Sequence, residues 1–142
     1  MFNLPRAKAQ PPPRPRRILF VEDDEKIREL FGRLLQLRGF QVQEAKDGQE
    51  AVALAKSTSF DIIFMDVKMP KLDGITAYHQ IHAASPGTKI VLLTGFSVHE
   101  DLQALLDQAQ VECLRKPFSP SQLDEILTRL NQPPPQSSAS AS

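Results

Sequence analysis

The chain of 142 residues is long enough for one domain with its own hydrophobic core. Apolar residues make up 41% and charged residues 24%, as is ordinary for a globular protein. The single cysteine, Cys113, excludes an intrachain disulfide, and no apolar run is long enough to span a bilayer. The N-terminus lacks the apolar core of a signal peptide, so we expect a cytoplasmic protein.

Charge and proline are unevenly distributed along the chain. The formal net charge is zero, but residues 1–17 hold five basic residues and no acidic one, which leaves 12 basic and 17 acidic residues in the remainder. Proline is concentrated near both ends. We therefore expect a disordered basic Pro-rich tail over 1–16 and a disordered Pro/Ser/Ala tail over 132–142. These flank one folded domain over 17–131.

Five predicted strands alternate with five predicted helices in the folded part. The strands cover residues 17–21, 40–45, 60–66, 89–94 and 111–114. The apolar run that ends at Asp66 is typical of a strand buried on both faces of a parallel sheet. Right-handed crossovers between such strands predict an α/β fold, a doubly wound five-stranded parallel sheet with helices on both faces.

Polar side chains follow or end four of the predicted strands. The first strand leads into Glu22 and Asp23, the third ends at Asp66, the fourth ends at Thr94, and the fifth stops just before Lys116. Since the carboxyl ends of parallel strands share one edge of the sheet, we expect these groups to converge. Carboxylates this close repel one another unless a cation intervenes, and oxygen-only ligands suit Mg²⁺. The pattern indicates phosphoryl transfer with a carboxylate as the nucleophile.

Four short motifs stand in order at these strand ends. They are ILFVEDD at 18–24, DVKMP at 66–70 with Asp73-Gly74, LLTG at 92–95 and KPF at 116–118. Together they resemble the receiver domain of two-component response regulators, in its stand-alone, chemotaxis-regulator-like form, over roughly 17–131. The resemblance implies a flavodoxin-like sheet with strand order 2-1-3-4-5. It also implies a switch that receives a phosphoryl group from a histidine kinase or phosphotransfer protein and acts through protein–protein contact.

The same resemblance implies roles for the acidic residues. Asp66 corresponds to the phosphoacceptor. Glu22 and Asp23 correspond to the acidic pair of the Mg²⁺ site, which Asp66 and the backbone carbonyl of Lys68 complete. Asp24 lies outside that pair and is expected to cap the first helix. No enzyme activity is expected beyond self-phosphorylation and slow self-dephosphorylation.

Thr94 and Lys116 correspond to the residues that sense and neutralise the phosphoryl group. The sequence departs from the family at Cys113, three residues before the lysine, where an aromatic side chain is usual. A small thiol cannot fill the pocket of a ring, which puts the usual aromatic relay in question. Phe96, two residues after the threonine, is expected to hinder the attacking water and to prolong the phosphorylated state.

Other functions remain open from the residues alone. One alternative is an unrelated α/β domain with a solvated acidic rim, and another is a receiver-like interaction module that phosphorylation does not regulate. A third is an aspartyl-nucleophile phosphohydrolase, but such enzymes typically carry a second aspartate where Lys68 stands. His79 and His82, three residues apart, are expected to be surface helix residues rather than metal ligands.

Partners are only partly specified by the sequence. The stretch 11–17 could be a linker, a polyproline ligand or a basic arm, and we favour the linker. We expect neither a membrane nor a nucleic-acid partner. Only a short tail follows Leu130, which favours a stand-alone switch with an unknown output protein. A phosphorylation-dependent dimer is left open.

Overall fold

The alternating pattern of strands and helices is present in the structure, a computed structural model that describes residues 16–69, 71–95, 100–107 and 111–131. Its strands are Arg17–Val21 (β1), Gln41–Ala45 (β2), Ile62–Asp66 (β3), Lys89–Thr94 (β4) and Glu112–Arg115 (β5). Its helices are Glu25–Leu37 (α1), Gly48–Ser57 (α2), Gly74–Ala84 (α3), Glu100–Asp107 (α4) and Pro120–Asn131 (α5). The predicted bounds agree with the structure for β1 and β4 and differ by one or two residues for β2, β3 and β5. Phe40, for example, belongs to the turn because its N–H donates to the carbonyl of Leu35 at the end of α1.

The five strands form one parallel sheet in the order β2-β1-β3-β4-β5. This confirms the predicted flavodoxin-like order. Every strand points the same way, so the carboxyl ends of β1, β3 and β4 lie side by side at one edge. The residues that end or follow these strands are therefore the ones brought together.

Helices cover both faces of the sheet, as predicted. Successive side chains of a strand point to opposite faces, so Ile18 and Phe20 join one core cluster while Leu19 and Val21 join the other. Residues Ile62–Asp66 of β3 are all buried, which explains the near-continuous apolar run in the sequence. Full burial of such side chains is worth about 1.5–3 kcal/mol each, so the sheet is a rigid base for whatever its edge carries.

Side-chain caps begin the helices on the same edge of the sheet. Asp24, Asp47 and Asp73 accept hydrogen bonds from the backbone N–H three residues on, at 3.0, 2.8 and 2.9 Å. Ser119 and Gln122 form a reciprocal capping box at the start of α5. The predicted cap at Asp24 is thus confirmed, and the loops that follow β1, β2 and β3 each end in a fixed helix start.

Two sequence predictions fall largely outside the described residues. The tails predicted over 1–16 and 132–142 lie outside them except for Arg16, so their disorder stays a prediction. The spacing of Ser97 and Glu100 also predicts a capping box for α4, but Ser97 lies outside the described residues. Among the described helices, none has the length and apolar character needed to cross a membrane.

Candidate functional site

Three carboxylates meet at the sheet edge, as predicted from their strand ends. One oxygen each from Glu22, Asp23 and Asp66 lies within 4.8 Å of the others. Glu22 and Asp66 are buried, whereas Asp23 is exposed. Three hard oxygen donors with one open side fit a divalent cation such as Mg²⁺, which takes a few carboxylates and keeps several waters.

Glu22 is held by its backbone and its side chain together. Its N–H donates to the carbonyl of Ala45 at 3.1 Å, and its own carbonyl accepts from Arg28 Nη1 at 2.8 Å. Its Oε2 accepts from the N–H of Asp24 at 3.1 Å. Arg28 also lies 3.5 Å from Glu44 through Nε. Ala45 and Arg28 therefore hold the backbone of Glu22, and the N–H of Asp24 holds its carboxylate while the Asp24 side chain caps α1.

Lys116 bridges the two buried carboxylates. Its Nζ donates to Glu22 Oε1 and to Asp66 Oδ2, both at 2.9 Å. Its backbone N–H donates to the carbonyl of Thr94 at 2.7 Å, which ties it to the end of β4. Two residues after Lys116, the ring of Phe118 packs on Phe31 of α1 with ring centroids 4.6 Å apart, which holds this segment against α1.

The charges in this cluster alter two pKa values. Burial raises the pKa of Glu22, assisted by the nearby charge of Asp66 and opposed by its hydrogen bonds to Lys116 and Asp24. Burial by itself lowers the pKa of Lys116, but its hydrogen bonds and charge attraction to Asp66 and Glu22 outweigh this and raise it overall. Lys116 is therefore a fixed positive charge between the two carboxylates.

Thr94 is buried at the end of β4, beside the end of β3. The neighbouring backbone is tied across these strands, since the N–H of Val67 donates to the carbonyl of Leu93 at 2.9 Å. Within the described residues, no hydrogen bond to the Thr94 hydroxyl is present. The structure thus brings Thr94 to the same edge as Asp66 and Lys116, as predicted.

The loop after β3 returns sharply towards Asp66. The N–H of Lys68 donates to Asp66 Oδ1 at 3.2 Å, and the N–H of Gly74 donates to the carbonyl of Val67 at 2.8 Å. A Cβ on Gly74 would lie 2.4 Å from the carbonyl oxygen of Asp66, a contact that no side chain tolerates. Glycine is therefore required where α3 begins, which explains the Asp73-Gly74 motif.

Several singled-out residues lie away from the carboxylates. Cys113 is half-buried beside the core, and burial raises the pKa of its thiol. The imidazoles of His79 and His82 contact the ring of Tyr78, with centroids 5.3 and 5.4 Å away. Phe96 lies outside the described residues, so its effect on water stays a prediction.

Sequence reasoning missed Arg28 as a support of Glu22. The sequence does contain one indication of this role, because Arg28 stands in the first turn of α1, just after the acidic residues. Side chains of a helix tilt towards its N-terminus, and the N-terminus of α1 lies at the sheet edge beside the strand ends. The Asp73-Gly74 pair was noticed as a motif, but the close approach that requires glycine depends on the fold of the loop.

Comparisons with known proteins agree with this geometry. The family described as response regulator receiver domain matches residues 18–128. The transcriptional regulatory protein PdtaR of Mycobacterium tuberculosis is 44% identical over 110 residues, which is 77% of this chain and 53% of that protein. The response regulator MprA of Mycolicibacterium vanbaalenii is 37% identical over 116 residues, or 82% of this chain and 49% of that protein. The chain thus spans about half the length of these curated relatives.

Solved structures show the same fold. The chemotaxis protein CheY4 of Vibrio cholerae superposes with a TM-score of 0.75 at 33% identity, covering 82% of this chain and 99% of that one. The receiver domain of a sensor histidine kinase from Pseudomonas aeruginosa gives a TM-score of 0.73 at 32% identity, covering 82% and 98%, and has a magnesium ion coordinated in its active-site cleft. The chain belongs to the response regulator receiver family.

Proposed function

We propose that Asp66 accepts a phosphoryl group from a phosphohistidine of a partner kinase or phosphotransfer protein. The observation that carries this is the Glu22–Asp23–Asp66 cluster with Lys116 bonded to two of its members. One carboxylate oxygen of Asp66 would attack phosphorus and form an O–P bond while the P–N bond to the donor imidazole breaks. The imidazole leaves with the electron pair and takes up a proton.

The remaining residues bind and orient the phosphoryl group. Lys116 Nζ, already 2.9 Å from Asp66 Oδ2, would transfer one of its hydrogen bonds to a phosphoryl oxygen. The buried Thr94 hydroxyl would donate to another. Such transfers depend mainly on positioning and on charge neutralisation.

Glu22, Asp23, Asp66 and the backbone carbonyl of Lys68 would hold Mg²⁺. When bound, the ion neutralises charge on the phosphoryl oxygens. The coordinated magnesium in the related kinase receiver domain supports this assignment. Lys116 occupies the inner side of the cluster, so the exposed Asp23 marks the side from which the cation would enter.

Signalling would follow from contact with a protein partner. We place the receiver domain over 17–131, a range supported by the family match at 18–128. The basic and Pro-rich segment 1–16 and the segment 132–142 would be disordered tails. A histidine kinase or phosphotransfer protein would be the donor, and self-phosphorylation by a small phosphodonor would be the only other chemistry besides slow hydrolysis.

The test is a mass measurement after incubation with acetyl phosphate and Mg²⁺. Wild type should gain one phosphoryl group, and Asp66→Asn should gain none. Asp24→Asn is the matched control, because Asn also caps a helix and this carboxylate side chain caps α1 without belonging to the cluster. Equal labelling of wild type and Asp66→Asn would overturn the assignment.

The same experiment separates the switch from a phosphohydrolase. A switch consumes donor slowly once each chain is labelled, whereas an aspartyl phosphohydrolase turns over many equivalents. The residue two positions after Asp66 is Lys68, which cannot act as the carboxylic general acid that such enzymes use. We therefore expect a single phosphoryl group per chain to account for most of the early consumption. If wild type gains no phosphoryl group even with acetyl phosphate and Mg²⁺ present, the result would favour an interaction module that phosphorylation does not regulate.

A further inference from the structure

A loop of seven residues joins the proposed phosphoacceptor to α3. We call residues 67–73 the acceptor loop, of which residue 70 lies outside the described part. Its two ends are held close together, since the N–H of Gly74 donates to the carbonyl of Val67 at 2.8 Å and Gly74 closely approaches the carbonyl of Asp66. Met69 and Leu72 pack against the core cluster that α2 also enters. These two residues of the acceptor loop therefore meet the same cluster as α2.

The contact on α2 is a backbone contact at Gly48. A Cβ built on Gly48 would lie 2.1 Å from the carbonyl oxygen of Leu72 and 2.9 Å from its carbonyl carbon and its Cβ. Real Cβ atoms do not approach other atoms this closely, so any residue but glycine would push Leu72 away by about 1 Å. Gly48 has no positive φ that would require glycine, so close approach is the reason for it.

Asp47 precedes Gly48 and holds the start of α2 in place. Its buried carboxylate accepts from the N–H of Glu50 at 2.8 Å and so holds the first turn of α2 in place. Its second oxygen lies 3.7 Å from Nζ of Lys71, the residue before Leu72. Lys71 itself has φ 70°, a left-handed conformation that is unfavourable for a lysine and persists only where the surroundings hold it.

We propose that Asp47 and Gly48 are positioning residues for the metal and phosphoryl site. They hold the acceptor loop at Leu72, and through it they set where the Lys68 carbonyl stands relative to Asp66. The inference rests on the proposed function, in which that carbonyl is a metal ligand. Neither Asp47 nor Gly48 touches the ion or the phosphoryl group, so both act through the acceptor loop.

The expected effect is a loss of Mg²⁺ affinity that exceeds any loss of folding. Groups that orient metal ligands from behind typically change affinity by about 10- to 100-fold when they are altered. We expect Gly48→Ala to weaken Mg²⁺ binding by about tenfold, since its clash displaces the acceptor loop directly. Asp47→Ala should weaken it severalfold by loosening the first turn of α2, whereas Asp47→Asn keeps the accepting oxygen and should bind nearly as wild type.

The test is the Mg²⁺ dissociation constant of the full chain by titration calorimetry, with urea unfolding on the same samples. Gly39→Ala is the matched control: its φ of 93° makes any side chain strained, and nothing lies within 4 Å of the new Cβ. It should unfold at a lower urea concentration than wild type and keep its Mg²⁺ affinity. Backbone NMR shifts of Lys68 should move in Gly48→Ala and Asp47→Ala but not in Gly39→Ala.

Each outcome decides the matter. Weaker Mg²⁺ binding in Gly48→Ala and Asp47→Ala, with Gly39→Ala unaffected, supports the proposal. If Gly48→Ala does not fold, Asp47→Ala against Asp47→Asn and Gly39→Ala gives the answer alone. Wild-type affinity in the folded variants, or an equal loss in Gly39→Ala, overturns the proposal while the metal site stands. Absence of Mg²⁺ binding in wild type overturns the metal site and this inference with it.

Discussion

Removing the charge of Lys116 should make folding depend on Mg²⁺. Its Nζ donates to Glu22 Oε1 and Asp66 Oδ2, both at 2.9 Å. The side chains of these two acids are only 2% and 8% exposed, so water cannot replace the ammonium easily. Lys116→Met keeps most of the aliphatic stem and leaves two buried carboxylates facing each other.

The magnitude follows from the distance between the charges. The nearest oxygens of Glu22 and Asp66 lie within 4.8 Å of each other, so the two carboxylates repel by at least about 3.5 kcal/mol at an effective dielectric constant of about 20. The loss of stability cannot exceed the free energy of protonating one of the two acids, which is about 3.7 kcal/mol for an ordinary glutamate at pH 7. Because burial already raises the pKa of Glu22, protonating Glu22 costs less than this upper limit. We therefore expect Lys116→Met to lose about 2–3 kcal/mol of unfolding free energy at pH 7.

The sign of the pH dependence is also fixed. In Lys116→Met the folded-state pKa of Glu22 rises further above its value in the unfolded chain. The folded state then holds the extra proton, so the loss of stability fades as the pH falls towards the unfolded pKa and grows as the pH rises. Mg²⁺ replaces the missing positive charge, so it should stabilise Lys116→Met more than it stabilises wild type.

Urea unfolding with EDTA and with excess Mg²⁺ measures both effects. Lys71→Met is the matched control, because its ammonium lies 3.7 Å from Asp47 but its side chain is 58% exposed, and such pairs contribute at most about 1 kcal/mol. Asp66→Asn combined with Lys116→Met removes one of the two facing charges and should recover much of the loss. The reasoning is wrong if Lys116→Met is as stable as wild type in EDTA, or if Mg²⁺ stabilises both equally.

Two further predictions follow from close packing and from burial. Gly74→Ala should lower the unfolding free energy by more than about 2 kcal/mol in urea, because its Cβ would lie 2.4 Å from the carbonyl oxygen of Asp66. The control is Gly87→Ala, which has open space around its Cβ and should change the stability little. Equal stability of the two variants would contradict the close contact at Gly74. Alkylation of Cys113 by iodoacetamide at mildly alkaline pH should be slower in the folded protein than in urea, since burial raises its thiol pKa and leaves less thiolate; equal rates would show that the thiol is not shielded.

The sequence by itself determined the order of elements and the residues that gather at the sheet edge. Apolar runs of strand length alternating with helical periodicity leave few folds, because parallel strands need crossover helices of fixed hand. The position of Asp66 at the end of a buried run, with Thr94 and Lys116 at later strand ends, follows from the same topology. Local caps such as Asp47 can also be predicted from the sequence, since the capping carboxylate and the backbone N–H that donates to it are three residues apart.

How these groups are held follows from the packing of elements that are distant in the chain. The bridge from Lys116 to Glu22 joins residues 94 positions apart, and the approach of Gly48 to Leu72 joins the start of α2 to the loop before α3, which no periodicity connects. Arg28 as the support of the Glu22 carbonyl depends on the angle at which α1 leaves the sheet. Sequence patterns record which face a residue takes along its own element, whereas contacts between loops depend on how separate elements pack together, which no local spacing encodes.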